Sequence, residues 1–312
     1  MILRYAHLSR RPTAFLAMTG LRVAAFDTLV ADLLPGYAAA EQTRLQRPMR
    51  ERAVGAGHPF ALAPRDQLLL AVVWLRVYPT HEVLGYLFGV SDTTVTRTVA
   101  RWLPLLEAAG RDTMRLPDPG RKHRRHLDAL LADTPALAVI VDTFEQRVQR
   151  PRDRDAADRL YSGKKKQHTL KVQLTIDEVT GGIADVADSV PGPTADITLA
   201  GQSGVLARLA PGVGVLGDLG YPGLGQLHPL GAIPRRKPRG RDRPPADVAY
   251  NRAFARRRIA VEHTIGQVRR YQSLAQTDRH HRRNHPARVR AVAGLVNRRL
   301  RRVVPYRERL AA

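Results

Sequence analysis

The stretch LAVIVDT at residues 137–143 decides the fold class of the second half of this 312-residue chain. Its continuous apolar run, Leu137 to Val141, is typical of a short strand that is buried on both faces. The segments that follow predict, in order, two alternating strands, a helix and another strand: residues 169–176, 182–190, 196–209 and 213–216. Since strands and helices follow one another in this way, we expect a mixed α/β domain.

A long helix is predicted over residues 246–271, because apolar residues recur there at helical spacing. Its predicted buried stripe comprises Tyr250, Phe254, Val261, Ile265 and Val268. The helix lies in the most basic part of the chain, since residues 235–302 contain 21 Lys and Arg but only 4 Asp and Glu. Such a density of charge is typical of a surface that follows a phosphate backbone.

Upstream of the α/β domain, residues 81–103 have the pattern of a helix-turn-helix. Residues 81–88 and 92–103 are predicted as the two helices, with Gly89 in the turn and Ser91 as the N-cap of the second helix. Five polar residues of the second helix are predicted to face phosphates and base edges in a major groove: Thr93, Thr94, Thr96, Arg97 and Arg101. An ordinary antiparallel helix pair is the alternative, and the basic charge of the chain favours DNA binding.

The domain boundaries follow from these patterns and from changes in composition. We predict four segments: a loosely packed helical region at residues 1–63, an all-α helix-turn-helix domain at 64–110, a basic linker at 111–134, and the α/β domain at 135–305. The linker is distinguished by its content of Arg, Pro and Gly.

Three isolated acidic residues are the candidates for metal binding. Asp142 follows the apolar run, Asp218 follows the last predicted strand, and Glu262 stands alone among arginines in the long helix. An isolated carboxylate beside a buried strand is costly unless a cation compensates its charge, and a metal ion does so. Each acid also has a structural alternative: a turn cap for Asp142, a backbone contact in its loop for Asp218, and an ion pair with Arg258 for Glu262.

The charge of the chain indicates a polyanionic partner. There are 51 Lys and Arg against 28 Asp and Glu, a formal net charge of +23, and this self-repulsion favours binding to a nucleic acid. A membrane partner fits poorly, because no apolar run reaches the roughly 20 residues of a spanning helix and no signal segment is found. We therefore expect a cytoplasmic protein that associates with the nucleoid. The absence of cysteine leaves carboxylates and histidines as metal ligands.

Several motifs together resemble those of DDE transposases of bacterial insertion sequences. They are Asp142-Thr143, YSGKKKQHT at residues 161–169, GDLGYPGL at 217–224, and Arg258 through Glu262. The resemblance covers nearly the whole chain, including the helix-turn-helix and the segment AGLVN at 293–297. Within these transposases the chain resembles insertion-sequence family five in particular, whose fold is similar to that of Harbinger-type transposases and nucleases, the DDE superfamily endonucleases.

The resemblance implies an α/β ribonuclease-H-like catalytic domain in which Asp142, Asp218 and Glu262 hold two Mg²⁺ ions, with Mn²⁺ as an alternative. It also implies double-stranded DNA as the partner, at the ends of the element and at the target, and a homo-oligomer assembled on that DNA. Further DNA contacts are expected from five basic residues: Lys164, Lys165, Lys166, Arg258 and Arg269. Metal-dependent cleavage would be followed by transfer of the freed 3′ end to the target.

The chain departs from the family pattern at three places. Ala255 stands where a Tyr is common, Arg269 replaces a Lys, and Ala195-Asp196 replaces a His-Asp pair. Arg269 keeps the positive charge with a different geometry, and Asp196 either caps its helix or lies at the edge of the site. Two other functions stay open from the sequence: an endonuclease without strand transfer, and a regulator that binds DNA through residues 64–110 without catalysis.

Overall fold

The computed structural model describes residues 3–46, 60–120 and 129–300. The chain forms two compact units. The helical unit comprises Met1–Asp112, Arg270–Ser273 and Ala287–Arg299, and the sheet unit comprises Thr113–Arg269, Leu274–Pro286 and Leu300–Ala312. Parts of three predicted segments lie outside the described residues, namely 47–59, 121–128 and 301–305.

The helices and strands of the described residues are as follows. The helices are α1 (Tyr5–Leu8), α2 (Pro12–Thr19), α3 (Val23–Leu45), α4 (Pro64–Val77), α5 (His81–Phe88), α6 (Asp92–Arg111), α7 (Arg154–Leu160), α8 (Asp196–Gln202), α9 (Leu224–Leu227), α10 (Pro245–Arg269), α11 (Gln272–Ala275) and α12 (His285–Leu300). The strands are β1 (Ala138–Arg147), β2 (Tyr161–Ser162), β3 (Gln167–Asp177), β4 (Ile183–Val186), β5 (Val190–Pro191), β6 (Gly214–Leu216) and β7 (Gly231–Ala232).

The core of the helical unit is built around α4, in which every residue from Gln67 to Leu75 is buried. Tyr37 of α3 stacks on Trp102 of α6, with ring centroids 4.5 Å apart. The Tyr37 hydroxyl and the Trp102 indole nitrogen both donate to the amide oxygen of Gln67, at 3.1 and 3.2 Å. The N-terminal region that was predicted to be loosely packed thus contributes three helices to a packed core, because its apolar side chains contact α4 and α6.

Helix α3 is long and apolar enough to span a membrane by length and composition alone, with a mean hydropathy of 1.2. No such segment was expected from the sequence, because no continuous apolar run reaches the roughly 20 residues of a spanning helix. Within the helical unit, Phe26 and Leu29 of this helix are buried, and Asp27 accepts a hydrogen bond of 2.6 Å from the Tyr5 hydroxyl. These contacts make α3 a packed element of the helical unit.

Helices α5 and α6 are joined by the tight turn that the sequence predicts. Gly89 adopts a left-handed backbone with a φ of 62°, and the Ser91 hydroxyl accepts a hydrogen bond of 3.2 Å from the Thr94 amide at the start of α6. A Cβ on Gly85 would lie 2.6 Å from the carbonyl oxygen of Val90. Glycine at this position therefore permits the close approach of the two helices.

Three predicted boundaries differ in the structure. Helix α6 continues past its predicted end at Leu103, because its buried face continues to Ala109. The helix that was predicted over 196–209 stops at the end of α8, since Gly204 soon afterwards takes a left-handed backbone with a φ of 67°. The strand that was predicted over 182–190 consists of two short strands, β4 and β5, which both pair with β3.

The described strands of the sheet unit form one mixed sheet with the order β2-β3-β1-β6-β7, and β4 and β5 pair with β3. Strands β1 and β3 are antiparallel, from the pair of Val139 with Asp177 to the pair of Arg147 with Thr169. Strand β1 is parallel to β6, and β6 is parallel to β7. The core beside β1 and β6 includes Ala200 of α8. Helix α8 thus packs on this part of the sheet.

Helix α10 is fixed within the sheet unit by a buried ion pair. The Arg257 guanidinium donates two hydrogen bonds of 2.7 Å to the Glu178 carboxylate, and these side chains are 4% and 1% exposed. Arg257 also donates to the Thr134 hydroxyl at 2.6 Å and to the Pro135 carbonyl at 2.7 Å. Because these bonds fix the rotation of α10 about its axis, they also fix where the neighbouring Arg258 points.

Most of helix α12 belongs to the helical unit, whereas the sequence predicts that it belongs to the α/β domain. The reason is its close packing on α6. A Cβ on Gly110 would overlap the carbonyl group of Arg290, and Gly294 lies directly against Gly110. Arg290 also donates a hydrogen bond of 3.1 Å to Glu107 of α6. Two glycines thus let α12 pack closely on α6 within the helical unit.

Candidate active site

Asp142 and Asp218 come to the same edge of the sheet because β1 and β6 are parallel. Ile140 pairs with Leu216, and each aspartate follows its member of this pair by two residues. The apolar run predicts that the strand ends before Asp142. In the structure Asp142 lies inside β1, because the residues that follow it continue to pair with β3. Neighbouring strands lie about 5 Å apart, so the two aspartates are close in space.

The Asp142 carboxylate is held by two donors. The Thr143 amide donates to Oδ1 at 2.7 Å, and Nη2 of Arg258 on α10 donates to Oδ2 at 3.3 Å. The pKa of Asp142 is raised to about 6, mainly by burial and also by the charges of Asp218 and Asp196, although Arg258 and the Thr143 amide act to lower it. The ionised carboxylate is therefore unfavourable in this environment, and a nearby cation would stabilise it.

Asp218 begins the turn that follows β6. Its Oδ1 accepts a hydrogen bond of 2.8 Å from the Gly220 amide, so the backbone contact considered for this loop is present. Gly220 lies beside Asp196 as well. A Cβ at Gly220 would be 2.9 Å from Oδ1 of Asp218 and 2.8 Å from Oδ2 of Asp196. The two carboxylates thus face the same small space.

Asp196 is the first residue of α8 and completes an acidic cluster with Asp142 and Asp218. Its Oδ1 accepts hydrogen bonds from Lys171 Nζ at 2.8 Å and from the Thr143 hydroxyl at 3.0 Å. The residue at the cap position of α8 is Ala195, so Asp196 does not cap its helix. Of the two roles that the sequence leaves open for Asp196, the position at the edge of the site is the one present in the structure.

A buried tyrosine, Tyr221, lies next to the acidic cluster. Burial raises the pKa of its hydroxyl, and the charges of Asp142, Asp196 and Asp218 raise it further. The hydroxyl donates to Oε1 of the buried Gln173 over 3.5 Å. Tyr221 therefore stays neutral and adds no charge to the site.

Glu262 lies on α10 one turn after Arg258, and its side chain is exposed rather than part of the apolar stripe of the helix. It lines a cavity of about 1090 Å³ together with Asp142 and Asp196, whereas Asp218 is not part of the lining. The ion pair considered between Glu262 and Arg258 is not formed in the described residues, because Arg258 pairs with Asp142 instead. Glu262 thus shares one cavity with two acids of the cluster.

The same cavity has a basic lining. Lys164 and Lys165, from the turn between β2 and β3, contribute to it, and so does Arg269 of α10. Lys166 is exposed outside the lining and has a left-handed φ of 52°. Carboxylates surrounded by cationic side chains suit a polyanion, because the cations attract its backbone to the acids.

The residues present have the donor chemistry of a hard-cation site. Carboxylate oxygens are the ligands that Mg²⁺ and Mn²⁺ prefer, and the mutual repulsion at Asp142 is the kind that a divalent cation relieves. Among residues 3–46, 60–120 and 129–300, however, no group of three or more acidic or histidine side chains is arranged to hold a metal ion. The predicted ligands Asp142, Asp218 and Glu262 are therefore not a preformed ligand set, and Arg258 occupies one oxygen of Asp142.

The residues predicted to contact DNA from α6 fall into two groups. Thr93 and Arg97 are exposed near the start of α6. Thr94 and Thr96 lie beside them, and their hydroxyls are hydrogen-bonded to the Ser91 hydroxyl and to the His81 ring, respectively. Arg101 differs from them. It pairs with Glu41 at 3.7 Å and lies 5.2 Å from the centre of the Phe60 ring, so it is engaged within the helical unit.

The sequence did not point to Lys171, which contacts Asp196 in this site, or to Arg257, which fixes the helix that carries Arg258 and Glu262. Lys171 occupies one of the alternating polar positions of the strand at 169–176, and that alternation is a signal that it faces a different environment from its apolar neighbours. Arg257 has no such signal, because it lies between Arg256 and Arg258 in a run of arginines.

Comparisons with known proteins agree with this architecture. The family described as DDE superfamily endonuclease matches residues 141–297, and the helix-turn-helix of DDE superfamily endonuclease matches residues 60–112. The first match covers half of the chain, which therefore belongs to the DDE superfamily endonucleases and carries their helix-turn-helix. This confirms the family that the motifs predict.

A curated relative shares much of the chain. The probable transposase for insertion sequence element IS702 of Microchaete diplosiphon is 29% identical over 232 residues, which are 74% of this chain and 79% of the relative. No solved structure matches the chain.

Proposed function

We propose that the chain is a transposase, which binds the ends of a mobile element, cleaves the DNA there and transfers the freed 3′ end to a target. The observation that carries this proposal is the cavity in the sheet unit, where Asp142, Asp196 and Glu262 are surrounded by basic side chains. Membership in the DDE superfamily endonucleases and the similarity to a probable transposase support it. A regulator that only binds DNA would have no use for these acids.

We propose a ribonuclease-H-like fold for the sheet unit. The support is the strand order: β1 to β5, whose pairs are all antiparallel, come first along the chain, and β6 and β7 are added in parallel on the other side of β1. This order places the central strand β1 between an antiparallel and a parallel neighbour. The carboxyl end of β6 then lies beside Asp142, where the proposed chemistry occurs.

Asp142, Asp218 and Glu262 are the proposed ligands of two Mg²⁺ ions, for which Mn²⁺ can substitute. Such ions activate a water molecule and stabilise the charge that develops on the cleaved phosphate. Arg258, which donates to Oδ2 of Asp142 at 3.3 Å, would lie beside the bound cations. Its guanidinium would there be able to bind a phosphate oxygen, a geometry that suits an Arg side chain.

The helix-turn-helix is the proposed reader of the element's ends. Thr93 and Arg97, which are exposed at the start of α6, are proposed to contact base edges and phosphates. The basic lining of the cavity, with Lys164, Lys165 and Arg269, is proposed to bind the DNA backbone. We also propose that the protein acts in the cytoplasm, on the nucleoid, as a homo-oligomer assembled on DNA.

An in vitro reaction with the purified chain tests this proposal. The chain is incubated with Mg²⁺ and labelled DNA that flanks its own reading frame, together with a supercoiled target plasmid. We expect nicks that leave a 3′ hydroxyl at the element's ends, and joined products in the plasmid. Cleavage without joined products would support an endonuclease without strand transfer, and binding without cleavage would support a regulator. A control in EDTA should show binding alone.

A further inference from the structure

We propose that Asp196 is a further cation ligand of the active site, which works together with Asp218. This inference rests on the proposed function, because it concerns the same site. The predicted ligands are Asp142, Asp218 and Glu262, and Asp196 is not among them.

The two oxygens of Asp196 have different environments. Oδ1 is held by Lys171 at 2.8 Å and by the Thr143 hydroxyl at 3.0 Å. Oδ2 has no donor among the described residues, and it faces the space at Gly220 that Oδ1 of Asp218 also faces. A carboxylate that is fixed by one oxygen and presents the other is well prepared to bind a metal, because its orientation is set before the metal arrives.

The charges around this space leave it negative. The acidic cluster of Asp142, Asp196 and Asp218 carries three negative charges, and Lys171 and Arg258 supply two positive charges in direct contact with it. Lys171 is almost buried and also donates to the Thr194 carbonyl at 2.6 Å, so it is fixed in place. The remaining negative charge is what a divalent cation would compensate.

A second observation at the same place points to a missing ligand. Gln173 pairs with Thr143 across β1 and β3 and follows Lys171 by two residues, so all three side chains lie on one face of the sheet. The Gln173 amide nitrogen is fully buried and has no acceptor among the described residues. A donor of this kind ordinarily has a partner, and an oxygen ligand bound in this site would supply one.

Mn²⁺ binding to the full chain without DNA, measured by electron paramagnetic resonance of the free ion, tests this proposal. Asp196→Asn keeps Oδ1 as the acceptor for Lys171 and Thr143, so the fold should be retained, but its amide nitrogen cannot bind a cation. We expect Mn²⁺ affinity to fall at least about 10-fold. Asp185→Asn is the matched control, since Asp185 pairs with Arg208 outside the cavity, and its affinity should equal that of the wild type.

A second variant keeps both carboxylates. Gly220→Ala places a Cβ within 2.9 Å of Oδ1 of Asp218 and 2.8 Å of Oδ2 of Asp196, so it should separate them and weaken Mn²⁺ binding. Gly163→Ala is its control, because a Cβ there meets no atom within 4 Å.

Asp218→Asn separates this inference from the proposed function. Weak Mn²⁺ binding by Asp218→Asn with normal binding by Asp196→Asn would overturn the role of Asp196 alone. Normal binding by both variants would overturn the proposed metal site itself.

Discussion

Replacing Asp142 by Asn should stabilise the sheet unit while it removes a proposed metal ligand. The pKa of Asp142 is raised to about 6 from the ordinary value of 3.8, and its side chain is only 21% exposed. One pKa unit corresponds to about 1.4 kcal/mol, so the ionised carboxylate disfavours folding by about 3 kcal/mol at neutral pH without metal. Asn does not ionise, and the free energy of unfolding should rise by up to that amount.

The sign of this effect depends on pH. The folded chain binds the proton of Asp142 more tightly than the unfolded chain does. The contribution of this carboxyl to the free energy of unfolding is therefore fully present below about pH 4, and it is lost as the pH rises through about 6. We expect a large difference in stability between the two proteins at about pH 7.5 and little difference near pH 4.

Hydrogen exchange of peptides from β1 and β3, followed along a urea series in EDTA, measures the stability of the sheet unit. The two tryptophans, Trp74 and Trp102, lie in the helical unit, so their fluorescence is an internal control that should not change. Added Mg²⁺ should stabilise the wild type but not the variant. A variant that is no more stable than the wild type at about pH 7.5 would refute the reasoning that burial makes the ionised Asp142 unfavourable.

Three further outcomes are expected. Arg257→Ala should lower the unfolding free energy of the sheet unit by about 3–5 kcal/mol, measured by the same hydrogen exchange, because Glu178 would stay buried without its ion-pair partner. The control Arg256→Ala, at an exposed neighbour, should leave this free energy unchanged. Equal effects of the two variants would contradict the stabilising role of the Arg257–Glu178 pair. Ser91→Ala should lower the stability of the helical unit by about 1 kcal/mol in tryptophan fluorescence, and no change would argue against the N-cap. Arg269→Ala should slow DNA cleavage at least about 10-fold through loss of a phosphate contact, and a normal rate would remove Arg269 from the site.

Several elements were predictable because their signal is local. The run from Leu137 to Val141 is apolar at every position, and all of it except Leu137 lies in β1. The tight turn at Gly89 and the cap at Ser91 were also predictable, since a left-handed backbone and an N-terminal hydroxyl each favour a particular residue type. The stripe of α10 followed from helical spacing, although Ile265 is only partly buried.

The contacts that form the site were not predictable, because they join distant parts of the chain. The pairing of Arg258 with Asp142 spans 116 residues, and that of Lys171 with Asp196 spans 25. Nothing in the run of arginines tells that Arg257 will face Glu178 and Arg258 will face Asp142, whereas Arg256 stays exposed. That choice depends on the rotation of α10, which its packing on the sheet decides.

The position of α12 was not predictable either, because it also depends on a contact between distant parts of the chain. The sequence places α12 at the end of the α/β domain, because it follows that domain along the chain. Its packing on α6 depends on the contact of Gly294 with Gly110, two small residues that are far apart in sequence. Such a contact has no local pattern to reveal it.

We propose that Asp142, Asp218 and Glu262 form the site that cuts DNA at the ends of a mobile element. The most direct measurement compares the wild type with the Ala variant of each acid, on one labelled DNA end, for binding by gel shift and for cleavage with Mg²⁺. We predict that all four proteins bind this DNA with similar affinity, and that only the wild type produces the cut strand. A variant that cuts at the wild-type rate, or a wild type that binds but never cuts, would contradict the claim.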